Sequence, residues 1–93
     1  PVSIEAETYT ISDNDFFYVN YYNKGEYCTE HRDPTKYTIC IALNDEFEGG
    51  EFFVNNKPVK LNTGDGVIFP GNTTHKLSEI IFSTRWSLCI WVF

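Results

Sequence analysis

The sequence has no methionine, only two histidines and only seven basic residues. Each shortage excludes something. The seven Lys and Arg are scattered singly against thirteen Asp and Glu, for a net charge of −6. That leaves no basic face to neutralise phosphates, so nucleic acid is set aside as a partner. No apolar run approaches the ~20 residues with which a helix crosses a bilayer, so no membrane span is expected. No cationic-then-apolar stretch opens the sequence, and no signal peptide is visible. The three cysteines, Cys28, Cys40 and Cys89, are odd in number and widely spaced. A disulfide framework favours an even, denser set, and a zinc knuckle shows close pairs. All three sit in apolar or aromatic stretches, where a free cysteine packs as a small hydrophobe. Reduced thiols favour a cytoplasmic setting. Lacking methionine and opening at Pro1 within foldable sequence, residues 1–93 read as a single domain that is the core of a longer chain.

What is present is aromatic and β-branched. Of the 93 residues, 42% are hydrophobic and 17% aromatic, which suits a globular domain and not a disordered chain. Helical periodicity is nearly absent. Short runs rich in Tyr, Phe, Val, Ile and Thr alternate with turn chemistry, the pattern of an all-β domain. Strands are expected over Val2–Thr10, Phe16–Tyr22, Glu26–His31, Tyr37–Leu43, Glu51–Val54, Lys57–Leu61, Gly66–Phe69, His75–Ile80 and Arg85–Phe93. Turns are expected at Ser12–Asp15, Asn23–Gly25, Asp33–Thr35, Glu48–Gly50, Asn55–Asn56, Asn62–Gly64 and Pro70–Thr73. Eight or nine short strands in so small a domain predict a sandwich or jelly roll.

The last strand divides its side chains by kind. With a period of two, Trp86, Leu88, Ile90 and Val92 share a wholly apolar face. That face is expected to pack against other strands, the rest of a parent chain or another subunit, since monomers rarely expose large apolar patches. Arg85, Ser87, Cys89 and Trp91 share the other face, where an arginine and a hydroxyl among apolar groups mark the lining of a site.

His31 and Asp33 are separated by one residue, so an extended backbone points both to one side. With His75 they form a candidate two-histidine, one-carboxylate facial triad, the set that holds non-haem Fe(II) with three positions open. The plainer alternatives are a surface His31 and a turn His75. Arg85 lies ten residues beyond His75. A buried guanidinium needs an anion, and its planar fork fits a carboxylate, with Ser87 able to add a hydroxyl. The plainer alternative pairs Arg85 with Asp65 or Glu79.

From Tyr22 to Phe93 the sequence resembles the 2-oxoglutarate- and Fe(II)-dependent dioxygenases, in particular the prolyl-4-hydroxylase-like group and its bacterial and phage relatives. The resemblance is carried by Tyr22-x-x-Gly25, His31-Arg32-Asp33, Leu43-Asn44-Asp45 and Phe47-Glu48-Gly49-Gly50-Glu51, then Gly64-Asp65, Phe69-Pro70-Gly71, His75, Thr84-Arg85-Trp86 and Trp91. It implies a double-stranded β-helix that holds Fe(II) through His31, Asp33 and His75 and anchors the distal carboxylate of 2-oxoglutarate on Arg85. It also implies that Tyr22 stands near the co-substrate, although core packing would explain that tyrosine equally well. The implied activity is hydroxylation of a C–H bond using dioxygen, with ascorbate as a supporting reductant. The implied substrate is a prolyl residue in a peptide or protein, or a small molecule. The chain departs from its relatives in three places. Ala42 stands where some carry a tyrosine on the distal carboxylate, a contact Ser87 would replace. The N-terminal helices that usually support the sheet are missing, and the Asn55–Lys57 turn is short. A non-catalytic jelly-roll module with a vestigial metal site is the competing reading, and a cupin-type metal enzyme a weaker third.

Overall fold

A computed structural model describes residues 14–93. The strand expected over Val2–Thr10 and the first half of the Ser12–Asp15 turn lie outside the described residues. The described chain contains ten strands and no helix: β1 (Phe16–Tyr22), β2 (Cys28–His31), β3 (Tyr37–Ala42), β4 (Glu48–Gly49), β5 (Phe52–Val54), β6 (Lys57–Val59), β7 (Gly66–Pro70), β8 (His75–Leu77), β9 (Ile80–Phe82) and β10 (Arg85–Val92). They form two antiparallel four-stranded sheets, ordered β1-β10-β3-β7 and β2-β8-β5-β6, with a small β4-β9 ribbon beside them. This is the all-β jelly roll that the aromatic, turn-punctuated sequence predicts.

Alternation builds the core. Thr38, Cys40 and Ala42 of β3, Val67 and Phe69 of β7, and Ser87 and Cys89 of β10 all turn inward and are buried. Val54 closes the core from the opposite sheet, and Phe52, Val59 and Leu61 pack against it. Burying a Val or Phe side chain contributes about 1.5–3 kcal/mol, so this small set carries much of the fold. On the other face of β10, Ile90 and Val92 are buried while Trp86 remains 42% exposed. The Trp86 ring stacks on Tyr21 of β1 at 4.8 Å.

Two turns follow their chemistry. Asn55 and Asn56 adopt φ of 53° and 62°, the left-handed pair that joins β5 and β6 in a tight hairpin. In the turn before β7, the Asp65 carboxylate accepts from the Asn62 amide at 3.0 Å. One expectation needs correction. The strand predicted over His75–Ile80 is two strands, because the chain leaves β8 at Ser78 and pairs with β4 from Ile80 onward. Gly49 and Gly50, read as a tight turn, have φ of 73° and 59° and make the matching step on the partner chain. Any Cβ on Gly49 would strike the Glu79 carbonyl, so the two chains can change sheets together only at glycine.

Gly71 fixes the loop that follows β2. Its carbonyl accepts from the Asp33 amide at 2.8 Å, and its own amide donates to the Lys36 carbonyl at 3.1 Å. A Cβ there would collide with the backbone and hydroxyl of Thr35. Gly71→Ala is therefore expected to destabilise the domain by about 1–3 kcal/mol, the usual result of overpacking. A denaturant midpoint that falls at constant slope checks this.

Candidate metal centre

His31 ends β2 and His75 begins β8, and the two are directly paired across the sheet. Their rings lie 4.1 Å apart, centre to centre. Asp33 reaches the same place from the loop after β2, which the Gly71 carbonyl holds by the Asp33 amide. Each imidazole is oriented the same way. His31 Nδ1 lies 2.8 Å from the Thr29 carbonyl, and His75 Nδ1 lies 2.9 Å from the Thr73 carbonyl. A carbonyl can only accept, so both Nδ1 atoms carry the proton and both Nε2 atoms present a lone pair.

Those lone pairs face a carboxylate. His31 Nε2 stands 3.5 Å from Asp33 Oδ1, and His75 Nε2 stands 3.3 Å from Asp33 Oδ2. His75 and Asp33 side chains are each only 7% exposed. His31 is partly exposed at 39%, so the site opens to solvent on that side, and three electron-pair donors converging there repel one another unless a cation lies between them. Two ligand atoms each about 2.1 Å from a shared metal, at right angles, would be about 3 Å apart. The observed spacings come within half an ångström of that, and all three groups offer ligand atoms within 4.8 Å of one another. The donor set, two imidazoles and one carboxylate, suits a divalent transition metal such as Fe(II).

Thr38 completes this arrangement and was not singled out by sequence. Its hydroxyl donates to Asp33 Oδ2 at 2.7 Å, and the Thr35 hydroxyl lies 3.1 Å behind it. The available signal was a hydroxyl on the buried face of β3, in step with Cys40 and Ala42. Thr38 thereby fixes the orientation of the carboxylate toward the two imidazoles. Thr38→Val is expected to lower divalent-metal affinity about 10- to 100-fold, as loss of an outer ligand partner does. A Co(II) titration followed by its visible absorption measures it, and unchanged affinity would show that the loop alone positions Asp33.

Arg85 enters from the opposite side of the same interior. It starts β10 directly across from Tyr22, the last residue of β1. The guanidinium is buried at 7% exposure, 3.5 Å from Ser87 Oγ and 4.0 Å from Cys40 Sγ, with its centre 5.5 Å from the Phe52 ring. No carboxylate pairs with it among the described residues, so neither pairing weighed from sequence forms; Asp65 caps its own turn instead. Tyr22 accepts a hydrogen bond from Asn20 Nδ2 at 3.3 Å, and burial pushes its phenol up, which keeps it neutral. Tyr22, His31, Asp33, His75, Arg85 and Ser87 all line one cavity of about 110 Å³. Trp91 walls it as well, and its buried Nε1 has no acceptor among the described residues. Cys40 and Cys89, read as core hydrophobes, are buried but also line this cavity.

The chain is similar to known proteins in sequence and in fold. A PKHD-type hydroxylase of Delftia acidovorans is 31% identical over 64 residues, 64% of this chain and 28% of its own length. A PKHD-type hydroxylase of Acinetobacter baumannii is 34% identical over 59 residues, 59% of this chain and 26% of that one. The chain thus spans little more than a quarter of these curated relatives. Among solved structures, a 2OG-Fe(II) oxygenase family oxidoreductase of Burkholderia pseudomallei superposes with a TM-score of 0.71 at 21% identity, over 83% of this chain and 42% of that one. A cupin superfamily protein of Desulfitobacterium hafniense gives 0.68 at 15% identity, over 90% and 72%. At such identities the two structures share the fold alone. The family profile, by contrast, aligns with residues 16–93, the whole of the jelly roll and its converging donors, and the chain belongs to the 2OG-Fe(II) oxygenase superfamily.

Proposed function

We propose that the chain is the catalytic core of a 2-oxoglutarate- and Fe(II)-dependent dioxygenase that hydroxylates a C–H bond of a prolyl residue in a peptide or protein. One observation carries the reading. A single small cavity holds three lone-pair donors that call for a cation and, facing them, a buried guanidinium that calls for an anion. 2-Oxoglutarate meets both demands, with a chelating keto-acid at one end and a carboxylate at the other.

His31, Asp33 and His75 would hold the metal ion through one ligand atom each. When bound, Fe(II) with dioxygen and 2-oxoglutarate supplies the oxidation of the C–H bond, coupled to decarboxylation to succinate and CO2. Arg85 takes the remote carboxylate in its fork, Ser87 Oγ adds a hydroxyl beside it, and neutral Tyr22 offers a phenol from the facing strand. Phe52 and Phe69, packed 6.4 and 4.9 Å from the His75 ring, shield that imidazole from water. The prolyl reading is supported by the PKHD-type relatives and by the aromatic wall of the cavity, where Tyr18 meets Trp91 edge-on at 5.7 Å. An aromatic wall suits a pyrrolidine ring.

The test is succinate formation from 2-oxoglutarate by the full chain with Fe(II) and ascorbate, with and without proline-containing peptides. Succinate that rises with peptide, and peptide that gains one oxygen at proline, is expected. Absence of both with metal and 2-oxoglutarate bound would assign the domain to the non-catalytic binding modules.

A further inference from the structure

Cys40 and Cys89 face each other on adjacent antiparallel strands, register partners in β3 and β10. The Leu43 amide donates to the Trp86 carbonyl at 3.0 Å, which makes that opposing pair a hydrogen-bonded one. Counting along the ladder, Cys40 and Cys89 fall at a non-hydrogen-bonded pair, where Cα atoms stand about 4.5 Å apart and side chains come closest. Disulfides form over Cα separations of about 4.4–6.8 Å, so the backbone already places these thiols within bridging distance, at its short end. Short-end bridges are the more easily reduced.

Their surroundings are chemical as well as apolar. Cys89 Sγ lies 3.7 Å from Ser87 Oγ, and Cys40 Sγ lies 4.0 Å from Arg85 Nη2. The Cys89 thiol hydrogen-bonds to Cys40, and with the guanidinium beside it this draws the Cys40 thiol below its ordinary range. A thiolate is the form that reacts with peroxide. Both cysteines line the cavity beside the candidate metal centre, whose volume of about 110 Å³ is large enough for a molecule the size of hydrogen peroxide.

We propose that Cys40 and Cys89 are a redox-active pair that closes to a reversible disulfide on reaction with hydrogen peroxide. Cys40 sulfur attacks one peroxide oxygen, the O–O bond breaks, and a sulfenic acid and one water result. Cys89 sulfur then attacks the Cys40 sulfur, and the sulfenic hydroxyl leaves with the Cys89 proton as a second water. Two thiols lose two electrons and two protons, and one peroxide becomes two waters. The bridge turns the Cys40 thiol beside Arg85 into a disulfide sulfur, so oxidation changes the lining of the cavity. The pair is independent of the co-substrate reading.

Peptide mapping tests this on the purified full chain, kept free of iron so that metal-driven oxidation is absent. Free thiols are alkylated after peroxide treatment, and trypsin is added without reductant. Cleavage after Arg32, Lys36, Lys60 and Arg85 puts Cys28, Cys40 and Cys89 on three different peptides. The expected result is loss of the free Cys40 and Cys89 peptides and gain of their cross-linked product, two hydrogens lighter than their sum. Cys28, the more accessible thiol, stays alkylated, and dithiothreitol restores both lost peptides. In Cys89→Ser, Cys40 is expected to stop at a sulfenic acid that dimedone traps. A bridge through Cys28, over-oxidation of Cys40 without a bridge, or thiols left intact would each overturn the assignment. If Cys89→Ser fails to fold, the wild-type map alone decides.

Discussion

Asp33→Ala is expected to abolish turnover and to lower divalent-metal affinity by well over 100-fold, since loss of even an outer ligand partner costs about 10- to 100-fold. The variant removes the carboxylate that both Nε2 atoms face at 3.5 and 3.3 Å. It should nonetheless fold, because what is lost is confined to one loop side chain, its Thr38 hydrogen bond and its facing of the two imidazoles. Thermal unfolding separates these effects. At a metal concentration about 100 times the dissociation constant, binding adds about 2.7 kcal/mol to the wild type. For a domain of this size that is a rise of about 10–20 °C. Asp33→Ala should show none of it. The wild-type rise should also shrink in acid, where protons compete for the ligands. An equal metal-induced rise in variant and wild type would remove Asp33 from the metal site.

Replacing Arg85 separates an oxygenase from a generic metal-binding jelly roll. Arg85→Ala is expected to weaken 2-oxoglutarate about 10- to 100-fold, because a hydrogen bond to a charged group contributes about 1.5–3 kcal/mol and about 1.4 kcal/mol is one decade. Arg85→Lys should recover only part, since a point charge cannot reproduce the bidentate fork. Metal affinity should hold in both, because Arg85 is no ligand. Arg85→Met adds a second, opposite readout. The guanidinium is buried with no carboxylate beside it among the described residues, so an apolar side chain of similar length should raise the ligand-free stability by about 1 kcal/mol or more. Loss of binding together with gain of stability is the signature of a residue kept for its ligand. Equal 2-oxoglutarate affinity across the wild type, Ala and Lys proteins would sink the co-substrate role. A less stable Met variant would make Arg85 a structural residue.

Much of this was legible before any fold was known. Alternation in β10 separates Arg85, Ser87, Cys89 and Trp91 from Trp86, Leu88, Ile90 and Val92, and the first four all line the cavity. His31 and Asp33 also meet, as their one-residue gap suggests, although Asp33 lies in the loop after β2 and not on the strand. These are local relations, set by the backbone over two or three residues. The expected strand over His75–Ile80 failed for a different reason. Nothing in its side chains marks the change of partner at Ser78, which depends on Gly49 and Gly50 far away in sequence.

What the sequence alone determined, then, is the class of fold, the ends of most strands to within two or three residues, and the identity of the groups that could bind a metal and an anion. Period and turn chemistry are written into neighbouring residues. The tertiary structure decided which of those groups meet. His31 and His75 are 44 positions apart and become register partners only when β2 pairs with β8. Thr38 reaches Asp33 only because Gly71 holds the intervening loop closed, and Cys40 meets Cys89 only through the β3–β10 ladder. Proton positions followed from the same packing, since the Thr29 and Thr73 carbonyls leave both Nε2 lone pairs facing inward. Contacts of that kind are made across sheets, where distance along the chain carries no information about distance in space.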